Sequence, residues 1–320
     1  MNTIPSTSKN LSVPYTVVGG KKIDRSAKYT RRLSFLVLNR GGKFNRWNTF
    51  SALKKIGADE IISVEGPGAP YDVEQLSKDF DDVRFLILHE ATSPGEMVNT
   101  GINECRGKFV YVLWNDMSVE SVPEEILNQY LFLNTLCVQP VFINHMNEPV
   151  PSMQVPVFYK RRIKILHLTP ENERAKTLYP MDYTGIYNKE RFILIGGYDR
   201  TLKNSYWQKA DFGFRSYMWG EEILADSHLR VKLQNEHPGE DTSADEDYKQ
   251  FYLKNLAVNF SGDAGYIPKA RFFSFFVKTG GGIIDSYREF KAARDWVNKN
   301  SFRFKMNSKS VIDLWEVSNI

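Results

Sequence analysis

Apolar positions along the first third of the chain fall into two rhythms. Leu33 to Leu38 is a short, mostly apolar run, closed by the pair Gly41-Gly42. Such a run predicts a strand buried on both faces, as parallel sheets require. Trp47, Phe50, Leu53 and Ile56 then recur at steps of three, the stripe of a helix, and Gly57 ends it. Residues 60–64 and 83–88 predict a second and a third strand. Between them, Asp72 with Gln75 predicts a capping box opening a short helix. Ser93-Pro94-Gly95-Glu96 combines a cap, a proline in the first turn and a glutamate at the third position. It predicts a helix running to about Cys105 and closed by Gly107. Residues 108–114 are the fourth strand. This alternation predicts right-handed βαβ crossovers and a mainly parallel sheet. Ligands bind such sheets beyond the carboxyl ends of the strands. The positions to inspect are therefore Asn39-Arg40, Glu65, His89 and Asn115-Asp116.

The second half is less regular. Residues from Pro123 to about Leu133 predict a helix, CVQPVFIN a strand, and VPVFYKRRIKILHL strand material weakened by Pro156. YTGIYNKERFILIGGYD predicts a strand, a short helix and a glycine turn. Trp207 to Trp219 reads as a helix and EILADSHLRVKL as a strand. ARFFSFFVK, aromatic with basic flanks, reads as a packing segment, with a membrane contact as its alternative. Residues 285–300 read as a helix, the tail carries no signal, and no internal repeat is present.

Composition narrows the class. With 320 residues, 42% hydrophobic and 25% charged, the chain is an ordinary globular protein of one large or two smaller domains. A net charge of +4 leaves no footprint for nucleic acid. Charge is uneven: eleven Lys or Arg against Asp24 alone between Lys21 and Lys55, and six acids with no Lys or Arg between Glu236 and Asp247. Both are surface segments in the plain reading. The basic one also suits a phosphorylated ligand or an anionic membrane surface. Cys105 and Cys137 lack metal or redox spacing and read as buried thiols. The first residues lack a basic start followed by a long apolar core, so no signal peptide is expected, and no apolar run reaches the roughly 20 residues of a span. A cytoplasmic location follows as the expectation.

Trp114-Asn115-Asp116 ends the fourth strand. A carboxylate there is either a turn residue or, through Mg²⁺ or Mn²⁺, a partner for diphosphate oxygens. Several stretches, in order, resemble the family-2 glycosyltransferases of the GT-A nucleotide-sugar fold. They are FLVLNRGG, EIISVEGPG, GEMVNTGINECRGKFVYVLWND, GGYD at 196–199 and YWQKADFGFRSYMWGEEI. The match covers roughly residues 33–240. It implies an α/β fold of GT-A type, with a mainly parallel central sheet, helices on both faces, a mixed acceptor-side half and a C-terminal helical segment. The domains expected are an extension over 1–30, the glycosyltransferase domain over 31–262 and a segment packed on it over 263–320.

The resemblance also implies roles. Asn39, Arg40, Glu65, Asn99, Gly101 and Asn115 would face the nucleotide, with Arg40 or Lys43 meeting the diphosphate. Asp116 and His237 would bind Mn²⁺ or Mg²⁺, with Glu236 or Asp241 as alternatives to the histidine. Asp211 would be the general base and Asp199 its reserve. The family's Asp-x-Asp keeps only its last acid here, and Gln208-Lys209 stand where its Glu-Asp pair is expected. The function expected is inverting, metal-assisted transfer from a nucleotide-diphosphate sugar to a saccharide or lipid-linked saccharide, with peripheral contact at the inner membrane face left open. The alternatives are a GT-A-like binding protein that has lost catalysis, and a nucleotidyltransferase.

Overall fold

The computed structural model describes residues 13–20, 32–41, 46–68, 72–119, 122–133, 135–159, 162–170, 172–235, 239–279 and 282–316. Its first part is β1 (Tyr15–Gly19), β2 (Leu33–Leu38), α1 (Arg46–Lys55), β3 (Ile61–Glu65), α2 (Val73–Asp79), β4 (Arg84–Leu88), α3 (Pro94–Glu104) and β5 (Phe109–Trp114). β4, β3, β2 and β5 lie side by side in that order, all parallel. Every residue of β2, β3 and β5 is buried, as their apolar runs require. β1, within the expected extension, pairs antiparallel with β4 and edges the sheet.

The second part begins with β6 (Met117–Val119), α4 (Glu124–Leu133) and β7 (Cys137–Ile143). A hairpin of β8 (Met153–Tyr159) and β9 (Arg162–Leu168) follows, then β10 (Arg174–Lys176), β11 (Gly185–Asn188), α5 (Lys189–Ile195), α6 (Ser205–Met218) and β12 (Ile223–Leu233). β11 joins the sheet antiparallel between β5 and β7, and β12, with β10 and β6 both paired to it, completes the sheet. β8 and β9 form a separate two-stranded sheet, whose open edge accommodates Pro156.

The chain ends with α7 (Glu246–Phe251), a π-turn over Tyr252–Leu256, β13 (Asn259–Ser261), β14 (Ala264–Tyr266), α8 (Arg271–Thr279), α9 (Ile283–Lys299) and α10 (Ser308–Glu316). The tail without a sequence signal thus contains α10, which packs on α6. Its Trp315 stacks edge-on against Tyr217.

Two local readings separate here. Ser93 and Glu96 form the expected reciprocal capping box of α3. Asp72 makes no cap bond at α2; its carboxylate pairs with Arg46. A guanidinium within reach outcompetes a backbone amide for a carboxylate.

From β2 the chain steps outward to β3 and β4, then crosses back to β5 on the other side of β2. The carboxyl ends of β2 and β5 therefore flank the topological switch point, where open α/β sheets bind ligands.

Candidate active site

Three polar side chains tie the strand ends together. Asn39, just past β2, donates through Nδ2 to Glu65 Oε2 (2.5 Å). Its Oδ1 accepts from the Gly41 amide (2.8 Å) and Asn115 Nδ2 (3.0 Å). Glu65 is fully buried, and Arg46 Nη1 (2.6 Å) and Ser63 Oγ (2.6 Å) also hold its carboxylate. Buried charge demands such pairing. Glu65 thus serves the foundation of the site, and its expected contact with the base or ribose is closed off by these partners.

Arg40 stands above this base. Its guanidinium lies 4.1 Å from the Trp114 ring centroid, a cation–π contact. Nη2 is 2.5 Å from Asp182 Oδ2, and Nε is 3.4 Å from Asp116 Oδ1. The Trp114 indole N–H donates to the Asp182 carbonyl (2.8 Å). Asp182 and its neighbour Tyr183 both have left-handed backbones, φ 49° and 62°. For non-glycine residues this costs about 1–3 kcal/mol each and persists where the surroundings over-determine it. They do so here. Gln139 Oε1 accepts from the Met181 amide (2.6 Å), and the Tyr183 hydroxyl donates to Gln208 Oε1 (2.9 Å).

Beside Arg40 opens a cavity of about 510 Å³, bounded by Trp114, Asp182, Tyr183, the start of α6 and Gly239–Asp241. Lys209 of α6 reaches it although only 1% exposed. Its ammonium pairs with Glu240 and lies 5.6 Å and 5.4 Å from the rings of Tyr179 and Tyr183. The acidic segment is docked on the start of α6. Asn204 Nδ2 donates to the Asp241 carbonyl and to Asp245 Oδ2, and the Trp207 indole donates to the Ser243 carbonyl (2.7 Å).

Of the expected site residues, Arg40 and Asp241 line this cavity. Asn99 instead clamps the GGYD turn, its Nδ2 donating to the Tyr198 carbonyl (2.8 Å) and its Oδ1 accepting from the Tyr198 amide (2.9 Å). Gly101 is a packing glycine: a Cβ there would come within 2.4 Å of Leu36 on β2. Asp211 is wholly buried, with Oδ2 on Arg215 (3.0 Å) and Oδ1 on Asn255 (2.8 Å). Asp199 is 1% exposed and paired with Lys254. Burial pushes the Asp199 carboxyl up, but Lys254 and the Thr201 hydrogen bonds outweigh it and hold it below its ordinary 3.8. Burial and pairing therefore speak against Asp211 and Asp199 as general bases. His237, Glu236 and Lys43 lie outside the described residues.

Among the described residues no three His, Cys, Asp or Glu side chains converge as a metal shell. Asp116 and Asp182 do converge, on the Arg40 guanidinium, which stands in as a cation between them. Two carboxylates fit Mg²⁺ or Mn²⁺ when diphosphate and water complete the coordination. Asp182, Lys209 and Glu240 were not found by sequence reasoning. The signal nearest to them was Gln208-Lys209 in place of two acids.

The sequence matches no protein-family model and no curated protein. Among solved structures, the chain is similar to GalNAc-T7 bound to UDP, GalNAc and Mn²⁺: TM-score 0.55 at 13% identity, over 82% of this chain and 55% of that one. It thus spans just over half of that protein's length. It is also similar to S. aureus TarS 1-349 with UDP, at TM-score 0.49 and 12% identity over 86% of this chain and 72% of that one. At these identities the likeness is one of fold. The alternating strands, the switch point between β2 and β5 and the overlay on GalNAc-T7 agree: this chain has the GT-A nucleotide-sugar fold.

Proposed function

We propose that this protein is a glycosyltransferase that moves a sugar from a nucleotide-diphosphate sugar to a hydroxyl of a saccharide or lipid-linked saccharide. The observation that carries this reading is the convergence of Arg40, Trp114, Asp116 and Asp182 beside a cavity at the switch point of a GT-A fold. GalNAc-T7, which shares the fold, was crystallised with UDP and Mn²⁺.

The cavity's charge supports metal assistance. Asp182, Glu240, Asp241 and Asp245 line it against Arg40 and Lys209. An acidic lining repels a bare diphosphate, so the donor arrives with a cation. Asp116 and Asp182 would hold Mn²⁺ or Mg²⁺, which supplies positive charge where the leaving diphosphate gains negative charge. Arg40, resting on Trp114, places a further cation at the same strand ends. In the inverting reading, the acceptor oxygen attacks the anomeric carbon in one displacement while a carboxylate takes its proton.

Calorimetric titration with UDP tests the metal assignment. Wild-type protein binds more tightly with Mn²⁺ than with EDTA, and Asp116→Ala loses that difference while keeping its fold. Equal Mn²⁺ dependence in the variant removes Asp116 from the metal site. A second reading, a nucleotide-sugar-binding protein without turnover, is favoured by the sealing of both Asp199 and Asp211 in ion pairs. UDP binding with no hydrolysis or transfer of any donor would establish it.

Contact with a membrane surface belongs to the same proposal. Phe273 and Val277 on α8 and Ile283, Ile284 and Tyr287 on α9 are 55–80% exposed, with Lys269 and Arg271 exposed beside them. An apolar face flanked by cations suits the interface of an anionic bilayer. Among the described residues no helix is long and apolar enough to cross a membrane.

A further inference from the structure

With Asp199 and Asp211 sealed away, the transfer step needs another proton acceptor, and four carboxylates line the cavity. Asp182 is engaged by Arg40 and, with Asp116, is the pair that would hold the metal. Asp245 caps α7, with Oδ1 accepting from the Tyr248 amide (3.0 Å) and Oδ2 from Asn204 (3.0 Å). Asp241 is exposed and held through its own segment, by the Ser243 amide (2.9 Å). Glu240 differs. Its Oε1 is fixed to Lys209, a residue of the rigid, buried α6. Lys209 is itself fixed, nearly without exposure, beside Tyr179 and Tyr183. A buried ammonium is costly without a counter-charge, so Lys209 dictates where a carboxylate must lie. Among the described residues Lys209 is the bonded partner of Glu240, through Oε1, which leaves Oε2 to receive a proton. The Glu240 side chain keeps 18% exposure and faces the same cavity as Arg40.

We propose that Glu240 is the general base of sugar transfer and Lys209 the positioning residue that holds it. This rests on the transferase reading above. The acceptor O–H oxygen forms a bond to the anomeric carbon as the bond from that carbon to the diphosphate oxygen breaks. The bonding pair leaves on the diphosphate, and the hydroxyl proton passes to Glu240 Oε2. A carboxylate locked to a helix holds the short, aligned geometry that proton transfer requires.

The test uses UDP-GlcNAc, UDP-GalNAc and UDP-glucose with Mn²⁺, following UDP release with water or added saccharide as acceptor. Glu240→Gln should bind UDP within threefold of wild type by calorimetry and lose about 10²-fold or more in kcat. Formate should restore part of the turnover of Glu240→Ala, which a structural role would not permit. Lys209→Met should lower kcat with donor KM unchanged, and Lys209→Arg should recover most of it. Should Lys209→Met fail to fold, Lys209→Arg and the two Glu240 variants decide. Turnover of Glu240→Gln within threefold of wild type overturns the proposal while leaving the transferase reading intact. UDP binding without turnover by wild type overturns both.

Discussion

Acid stability draws on a buried carboxylate held in an ion pair. Asp199 is 1% exposed and held below its ordinary 3.8 against the push of burial, by Lys254 and by Thr201. A carboxyl with a depressed folded value contributes stability that is fully present above its unfolded value and lost as pH falls through the folded one. Wild type should therefore exceed Asp199→Asn in urea midpoint by a constant margin from pH 8 to 5, with the margin shrinking below about 3.8. A margin that grows on acidification would refute the ion pair. Asp211 behaves as a second anchor, since its partner Arg215 also donates to the carbonyls of Ile195 (2.6 Å) and Gly197 (2.8 Å). Asp211→Ala leaves that guanidinium uncompensated and should cost about 3–5 kcal/mol of unfolding free energy by urea titration. A fully stable, inactive Asp211→Ala would instead return Asp211 to the chemistry.

Among the elements, α3 shows how tightly the sheet sets the site. Gly101 lets α3 lie against Leu36 of β2, the strand that carries Asn39 and Arg40. Gly101→Ala forces that interface apart and should destabilise by about 1–3 kcal/mol, read as a fall in urea midpoint. Elements of this kind were legible in the sequence because their signals are local. β2, β3 and β5 are short, mostly apolar runs, and the α3 cap lies within four residues. β1 was not legible: it is a short edge strand, half-exposed, that borrows its hydrogen bonds from β4 about 70 residues away. The helix in the tail escaped for the same reason, since it packs against α6, β8 and the π-turn, all distant in sequence. The ARFFSFFVK segment was half legible. Phe275 packs inside, while Phe273 and Val277 point outward. The site divides likewise. Arg40 follows a strand end and could be read, whereas Asp182 meets it across 142 residues on a left-handed turn that no local pattern announces. Glu240 reaches Lys209 across 31 residues, so the exchange of a helix acid for a loop acid stays invisible until the chain is folded.

On the scale of the whole molecule, two features are open to solvent: the cavity at the switch point and the exposed apolar side chains of α8 and α9. If that face meets a bilayer, the protein should co-sediment with vesicles containing phosphatidylglycerol more than with pure phosphatidylcholine. Phe273→Ser with Ile284→Ser should abolish the difference without lowering the melting temperature. Equal sedimentation of variant and wild type would assign the face to another partner. That the switch point of this GT-A fold receives a nucleotide-diphosphate sugar with a divalent metal is best tested by thermal shift across a panel of nucleotide sugars, each with Mn²⁺ and with EDTA. A donor at a hundred times its Kd stabilises the folded state by about 2.7 kcal/mol. We predict a raised melting temperature for at least one donor in Mn²⁺ and a smaller rise in EDTA. No shift with any donor under either condition would contradict the account.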